Sequence, residues 1–282
     1  MNNLCLIVTS FLEYENEVIR LFDSLGESNQ ITVIFINQSN KDHTTLFNKY
    51  RKRFNLIEIK SDCRISLSAA RNMALRYLYS DSTMDEKTFI LFTDDDAWYP
   101  VDTIKYLLSC ENKAYSLMVY DPFLGKSFLP YQNRKQGIIK KERIITDIIS
   151  ISIVVPFGYL KRDSLFFNEK LGLGNLISQG EETFLCFQLY ENGCNFFRSD
   201  YSIYHPYKKT FNEKNFYSFA YFLSSFTQYI SPIFKTYLLF FLMKYSFAII
   251  LGIFKDKRYF KLAKKIYKGY FDGKKDIYSI FK

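Results

Sequence analysis

The sequence lacks the cysteine pattern of a zinc site or of a disulfide framework. Its five cysteines are an odd number, and no two of them form a CxxC pair; they are Cys5, Cys63, Cys110, Cys186 and Cys194. The first residues also lack the basic segment of a signal peptide, and acidic residues follow their short apolar run. Together these absences predict a cytoplasmic protein in a reducing compartment.

A basic surface spread over the whole chain is missing as well. The segment from Lys255 to Lys282 has ten Lys and Arg against three Asp, so it carries +7 of the net charge of +9. The remaining residues therefore carry only +2, which argues against a nucleic-acid-binding face on the main domain. We expect no nucleic-acid partner.

What the sequence does contain is enough apolar material for a full core. With 282 residues and 48% hydrophobic content, the chain can form one large domain or one domain with a tail. The composition shifts toward aromatic and long apolar runs after Phe216. We predict a main domain over residues 1–210 and a helical, aromatic and basic region over residues 211–282.

Strand and helix patterns alternate in the first hundred residues. Strands are predicted at 4–10, 31–36, 56–59 and 89–92, and helices at 15–25, 44–53 and 66–79. This alternation predicts parallel βαβ units, in which ligands bind beyond the carboxyl ends of the strands. Further strands are predicted at 115–120, 148–155 and 201–204, and a buried helix at 181–192.

The segment FILFTDDDAWYP, residues 89–100, carries the strongest chemical signal. A buried strand is followed directly by Asp94, Asp95 and Asp96, whose charges repel one another unless a cation or full solvation compensates them. Mg2+ and Mn2+ prefer such carboxylate oxygens together with phosphate oxygens. The alternative is a solvated surface turn without a ligand.

Later polar residues allow two interpretations each. Glu181 and Glu182 lie in the first turn of a predicted helix, where acids are stabilised by the helix dipole without any chemical role. His205 follows a predicted short strand and is either a structural side chain or a ligand. Their chemical roles depend on what lies beside them in the fold.

Taken in order, several segments resemble bacterial family 2 glycosyltransferases with the GT-A fold. The segments are INQSN, SLSAARNMAL, FTDDDAWYP, FNEKLGLG, GEETFLCFQLYENG and SIYHPYKK, and the resemblance spans about residues 4–209. It implies a Rossmann-like, mostly parallel α/β sheet flanked by helices. It also implies metal-dependent transfer of a sugar, with inversion, from a nucleoside diphosphate to an acceptor hydroxyl.

The resemblance also assigns roles to individual residues. Metal binding, by Mn2+ or Mg2+, falls on Asp94, Asp96 and His205, and the catalytic base on Glu182, with Glu181 sharing the role. The remaining assignments are contacts to the donor substrate, and they fall on Thr9, Asn37, Arg71, Asn72, Asp94, Asp95 and Lys208.

Two positions depart from the family pattern. Asn37 stands where an acidic residue commonly reads the base, so a UDP-sugar is favoured but not assured, and Glu182 stands where aspartate is usual. These departures keep open a catalytically silent, nucleotide-sugar-binding subunit of a membrane-associated assembly complex. A two-metal phosphoryl or nucleotidyl transferase would need more converging carboxylates.

The C-terminal region contains the apolar segment YLLFFLMKYSFAIILGIF, residues 237–254, with one charge at Lys244. It is marginal for a spanning helix, so we predict a helix in the membrane interface, with the following lysines on anionic lipid. The alternative is a helix packed on the catalytic domain or on a second subunit. The implied acceptor is a glycan or lipid-linked glycan of capsule, exopolysaccharide or O-antigen synthesis, at the inner face of the cell membrane.

Overall fold

The computed structural model describes residues 2–128, 136–175, 177–207, 217–218, 220–222, 224–225, 243 and 258–275. By its contacts the chain divides into two compact units. One is Met1–Phe167 with Glu182–Lys208, and the other is Asn168–Glu181 with Lys209–Lys282. The predicted contact at Lys208 and nearly all of the predicted interfacial helix at 237–254 lie outside the described residues.

The first unit is built on one sheet. Its strands are β1 Leu4–Ser10, β2 Ile31–Asn37, β3 Asn55–Lys60, β4 Phe89–Asp94, β5 Ala114–Asp121, β6 Lys126–Ser127, β7 Gly137–Ile138, β8 Ile153–Pro156 and β9 Phe196–Tyr204. Its helices are α1 Glu15–Ser24, α2 Thr44–Tyr50, α3 Leu67–Ser80, α4 Val101–Ser109, α5 Ile144–Asp147, α6 Phe157–Lys161 and, from its second residue onward, α7 Glu181–Glu191. The strand order is β3-β2-β1-β4-β8-β5-β9-β7, with β6 paired to β5.

The predicted parallel βαβ half is confirmed. Strand β1 pairs in parallel with β2 and with β4, and β2 pairs in parallel with β3. Strand β8 is antiparallel to β4 and to β5, so β5 and its parallel neighbour β9 run in the same direction as β4. The carboxyl ends of β1, β2, β4, β5 and β9 therefore lie at one edge of the sheet.

The predicted strand over residues 148–155 is wrong in its first half. Residues Ser150–Ser152 form a 3-10 turn, and only Ile153–Pro156 is extended. The Ser152 hydroxyl accepts a hydrogen bond from the Ile149 amide at 3.0 Å and donates one to the Ile149 carbonyl at 2.7 Å. These local bonds satisfy backbone groups that a strand would have paired, so the apolar run does not extend through them.

Aromatic side chains fill the core between the sheet and helices α1 and α2. Phe22 packs edge-on against Phe35, Tyr50 and Phe54, with ring centroids 4.9–5.8 Å apart. Successive residues Val33, Ile34, Phe35 and Ile36 of β2 are all buried, so both faces of this strand are covered. A covered sheet leaves the strand ends as the place for polar chemistry.

In the second unit, helix α8 Arg258–Lys275 packs on helical residues between 217 and 225. A Cβ at Gly269 would overlap the Tyr217 carbonyl oxygen, and a Cβ at Gly273 would overlap the Tyr221 carbonyl oxygen. The Ser224 hydroxyl donates to the Tyr270 carbonyl at 2.8 Å. The two glycines thus permit close backbone packing. None of the helices described is both long and apolar enough to cross a bilayer.

Candidate active site

The candidate site begins at the end of β4. Asp94 is the last residue of this strand, and its register partner on β1 is Thr9. Asn37, the last residue of β2, is paired with Ser10. Parallel pairing therefore places the predicted substrate-binding positions Thr9 and Asn37 along the same edge as the acidic turn, and their contacts to a substrate stay predictions.

A short backbone bridge joins the acidic turn to the end of β9. The Trp98 amide donates to the Tyr204 carbonyl at 2.9 Å, and the Tyr204 amide donates to the Trp98 carbonyl at 2.8 Å. The next amide, that of His205, donates to the Tyr120 carbonyl at 3.0 Å. These three bonds hold the backbone just after the acidic turn against the end of β9 and bring His205 close to the turn.

Asp94, Asp96 and His205 consequently form one cluster. Each offers one ligand atom, and these atoms all lie within 4.8 Å of one another. The Nε2 atom of His205 lies 2.9 Å from Asp96 Oδ1 and 3.8 Å from Asp94 Oδ2. Two carboxylates and an imidazole suit Mn2+ or Mg2+, so the donor set fits a divalent cation.

The electrostatics of this cluster favour positive charge. Burial lowers the pKa of His205, but its hydrogen bond to Asp96 and the negative charges of Asp96 and Asp94 outweigh burial, so the pKa is raised. Asp96 is only 6% exposed, which makes its carboxylate costly without a cationic neighbour. A metal ion would supply that positive charge.

Arg71 lies on the other side of Asp94. Its guanidinium is buried and contacts Asp94 Oδ1 through Nη2 at 3.4 Å. It also lies near the Phe92 and Phe167 rings, with centroids 5.8 and 5.3 Å away. The structure thus brings Arg71 to the acidic turn. Whether Arg71 also contacts a nucleotide stays a prediction.

The middle aspartate of the triplet points to a different partner. Asp95 accepts a hydrogen bond from the Ser10 hydroxyl, which in turn accepts one from the Leu12 amide at 2.8 Å. The pKa of Asp95 is raised to about 6, mainly by burial. The Ser10 hydrogen bond lowers this pKa, whereas the negative charges of Asp96 and Asp94 raise it further. Asp95 therefore ties the acidic turn to the end of β1, and its role in substrate binding stays a prediction.

Asn37 and Asn72 both make structural hydrogen bonds. Asn37 donates to Glu58 Oε1 at 2.8 Å and accepts from the Ser39 amide at 2.8 Å. Asn72 is buried, donates to the Phe167 carbonyl at 2.9 Å and accepts from the Phe167 amide at 2.8 Å. Asn72 on α3 thus holds the backbone of Phe167 in place. Its contact with a nucleotide stays a prediction.

Glu181 and Glu182 occupy the predicted helix start, in the first turn of α7. Glu181 is buried and Glu182 is half-buried. The preceding Gly180 has a φ of +93°, and a Cβ there would overlap the Phe222 ring. This glycine is therefore required by conformation and by close packing, and the choice of base between the two glutamates stays a prediction.

Sequence reasoning missed three residues that shape the site. The Ser10 hydroxyl donates a hydrogen bond to Asp95, and the Trp98 backbone pairs with Tyr204 of β9. The third residue, Arg20, makes two contacts. Its Nη2 donates to the Asp96 carbonyl at 3.1 Å, and its guanidinium carbon lies 3.9 Å from the centroid of the Trp98 ring. The one tryptophan of the chain, next to the acidic turn, was the available signal.

Comparison with known sequences identifies the class of protein. The model of the family described as "Glycosyl transferase family 2" matches residues 5–165, which is more than half of the chain. The chain therefore belongs to glycosyl transferase family 2. No curated protein sequence matches it.

Solved structures show the same fold at low sequence identity. Residues 1–349 of S. aureus TarS give a TM-score of 0.63 at 15% identity, over 97% of this chain and 90% of that one. The mannosyltransferase PcManGT from Pyrobaculum calidifontis, in complex with GDP-Man and Mn2+, gives 0.57 at 12% identity, over 98% and 87%. GalNAc-T7 with UDP, GalNAc and Mn2+ gives 0.51 at 10% identity, over 80% and 48%.

Proposed function

We propose that this protein is an inverting glycosyltransferase that moves a sugar from a nucleoside-diphosphate sugar to an acceptor hydroxyl. The acceptor is a lipid-linked glycan in surface-polysaccharide synthesis, and the reaction takes place at the inner face of the cell membrane. The observation that carries the proposal is the convergence of Asp94, Asp96, His205 and Arg71 at the carboxyl ends of β4 and β9 in a family 2 chain.

The residues of this cluster suit a diphosphate leaving group. Asp94, Asp96 and His205 would hold a divalent cation, which supplies Lewis-acid stabilisation of the negative charge on the leaving group when it is bound. Arg71 adds a fixed guanidinium beside Asp94 that can make charge-assisted hydrogen bonds to phosphate oxygens. Solved neighbours that contain UDP, or GDP-Man with Mn2+, support a nucleotide-sugar donor.

Inversion requires a base on the acceptor side. The acceptor oxygen forms the new bond to C1 as the bond from C1 to the diphosphate oxygen breaks, and the acceptor proton passes to a carboxylate within hydrogen-bond reach. Glu182 is the candidate for this carboxylate. It lies two residues after Gly180, whose positive φ and close packing against the Phe222 ring fix the backbone just before α7.

The proposal of a membrane-linked acceptor rests on the resemblance and on charge. Most of the net charge lies in residues 255–282, next to the aromatic, apolar segment 237–254. Basic and aromatic residues together favour an anionic membrane surface.

The test is metal-dependent release of nucleoside diphosphate by the purified full chain from a panel of nucleotide sugars. We expect Asp96→Asn to fold normally and to lose at least about 100-fold in Mn2+-dependent turnover, because it removes one charged ligand of three. Glu111→Gln is the matched control, since this exposed carboxylate precedes β5 at the opposite edge of the sheet.

Full turnover by Asp96→Asn would contradict the metal assignment. Binding of a nucleotide sugar with no turnover by the wild-type protein, with or without Mn2+ and candidate acceptors, would instead favour a silent binding subunit.

A further inference from the structure

Helix α8 exposes one side that combines lysines with aromatic rings. The exposed residues are Lys264, Tyr267, Lys268, Phe271, Lys274 and Lys275, and we call them the lysine-aromatic face. Their spacings of three, four and seven place them on one side of an α-helix. Phe271 is 56% exposed, so its ring is open to solvent among the four lysines.

The opposite side of α8 fixes this orientation. Ile266 is buried, and Gly269 and Gly273 lie against the backbone at Tyr217 and Tyr221. These contacts leave no room for a side chain at either glycine, so the helix cannot rotate about its axis without losing them. The lysine-aromatic face is therefore turned away from the helical residues that α8 packs on.

The charged residues of α8 also differ between its exposed side and its packed side. The sequence from 258 to 275 has seven Lys and Arg and a single acid, Asp272. The Asp272 carboxylate accepts a hydrogen bond from the Tyr217 hydroxyl at 2.9 Å, within the packed side of the helix. The lysine-aromatic face thus presents four lysines and no acid.

We propose that the lysine-aromatic face is the docking surface of this protein on an anionic lipid bilayer. Lysine ammonium groups attract anionic headgroups, while their alkyl stems and the Tyr267 and Phe271 rings can enter the boundary between headgroups and acyl chains. A polyanion with no apolar or aromatic part, such as heparin, would use the lysines but would not need an exposed phenylalanine among them.

Lipid docking by α8 would place the proposed transferase at the membrane, but it does not depend on sugar transfer and can be tested separately. The direct test is cosedimentation of the full chain with vesicles of phosphatidylcholine alone or with 30% phosphatidylglycerol added, without nucleotide or metal. We expect binding to the anionic vesicles and little to the neutral ones. Lys264→Gln/Lys275→Gln should weaken that binding by about 30-fold, since each lysine near such a surface contributes a factor of about five.

Two further variants separate lipid docking from simple charge attraction. Lys52→Gln/Lys105→Gln removes two exposed lysines of the first unit and should leave binding unchanged. Phe271→Ser keeps every charge and should weaken vesicle binding several-fold, with no effect on binding to a soluble polyanion such as heparin. The Tm of each variant, measured without nucleotide or metal, should equal that of the wild-type protein, which shows that the fold is intact.

Equal losses from the two lysine pairs would overturn the proposal, because binding would then follow total charge. Insensitivity of vesicle binding to Phe271→Ser, with heparin bound as tightly as vesicles, would identify a general polyanion surface and would also overturn it.

Discussion

The Glu182 side chain is one methylene group longer than the aspartate that is usual at this position of the family pattern. We expect Glu182→Gln to bind donor normally and to lose about 100-fold or more in turnover, because a glutamine side chain cannot take the acceptor proton. Donor affinity by titration and initial rates with saturating acceptor measure the two effects separately.

Glu181→Gln is the companion variant, since both side chains begin α7 and Glu181 is the more buried. A larger loss in Glu181→Gln than in Glu182→Gln would transfer the role of base to Glu181.

A second prediction at the residue scale concerns pH and stability. Burial raises the pKa of Asp23, but hydrogen bonds from Arg53 at 2.6 Å and Tyr50 at 3.0 Å outweigh burial, so the pKa is lowered in the folded protein. The stabilisation is therefore fully present above the unfolded pKa of about 3.9, and it is lost as pH falls through the folded pKa.

Asp23→Asn should accordingly destabilise the protein at pH 7 by no more than about 1 kcal/mol, because half of the side chain is exposed and solvent screens the pair. Urea unfolding of both proteins from pH 7 down to pH 3 should show this difference shrinking below about pH 4. A difference that grows toward acid would reverse the sign of the argument. Tyr50→Phe keeps the buried ring and should remove part of the same effect.

Residue chemistry at the site was predictable where it followed strand ends. Asp94, Asp96 and His205 each come just after or at the end of a strand, and parallel strands bring such ends together. The contacts of Ser10 and Arg20 were not predictable, because they depend on which loop lies opposite. A serine or arginine has the same sequence signal whether it meets water or an acidic turn.

At the scale of secondary-structure elements, helix α5 allows a test of how much a buried ion pair contributes to stability. Its last residue, Asp147, is fully buried and makes ion pairs with Arg198 on β9 and, at 3.2 Å, with Arg143. Asp147→Ala should lower the free energy of unfolding by about 3 to 5 kcal/mol, because it removes the carboxylate that faces a largely buried guanidinium.

Urea unfolding measures this loss, and the exposed pair of Lys141 and Glu191 supplies the control. Glu191→Gln should cost no more than about 1 kcal/mol. Similar losses in the two variants would mean that burial does not decide the strength of these pairs.

Elements with a strong period were predictable, and those fixed by local side-chain bonds were not. The alternating strands and helices up to β4 follow from buried β-rich runs separated by helical spacing. The 3-10 turn before β8 and the antiparallel direction of β8 do not, since the run Ile148–Val155 reads as a strand of either direction. The hydrogen bonds of the Ser152 side chain determine the 3-10 turn, and the pairing of β8 with β4 and β5 determines its direction.

At the scale of the whole molecule, one compact unit combines two segments that are distant in sequence. Residues 168–181, which lie within the predicted range 1–210, cluster with residues 209–282. Within that second unit, the ring of Phe222 lies against Gly180, so residues more than forty positions apart share one packing contact. Long-range packing of this kind leaves no periodic signal in either segment.

The response of the whole molecule to ligand gives the last prediction. A ligand that binds only the native state stabilises it by about 2.7 kcal/mol at a hundred times its Kd, which corresponds to a rise in Tm of about 5 °C for a chain of this size. We expect such a rise with UDP or GDP in the presence of Mn2+, and a much smaller one with EDTA, because Asp94, Asp96 and His205 need a cation to accept a diphosphate. Asp96→Asn should lose the Mn2+-dependent part, whereas Glu182→Gln should keep it, since the base does not hold the donor. A nucleotide-dependent rise that is the same with Mn2+, with EDTA and in Asp96→Asn would mean that the diphosphate binds through protein groups alone, and the metal assignment would fail while the donor site stood.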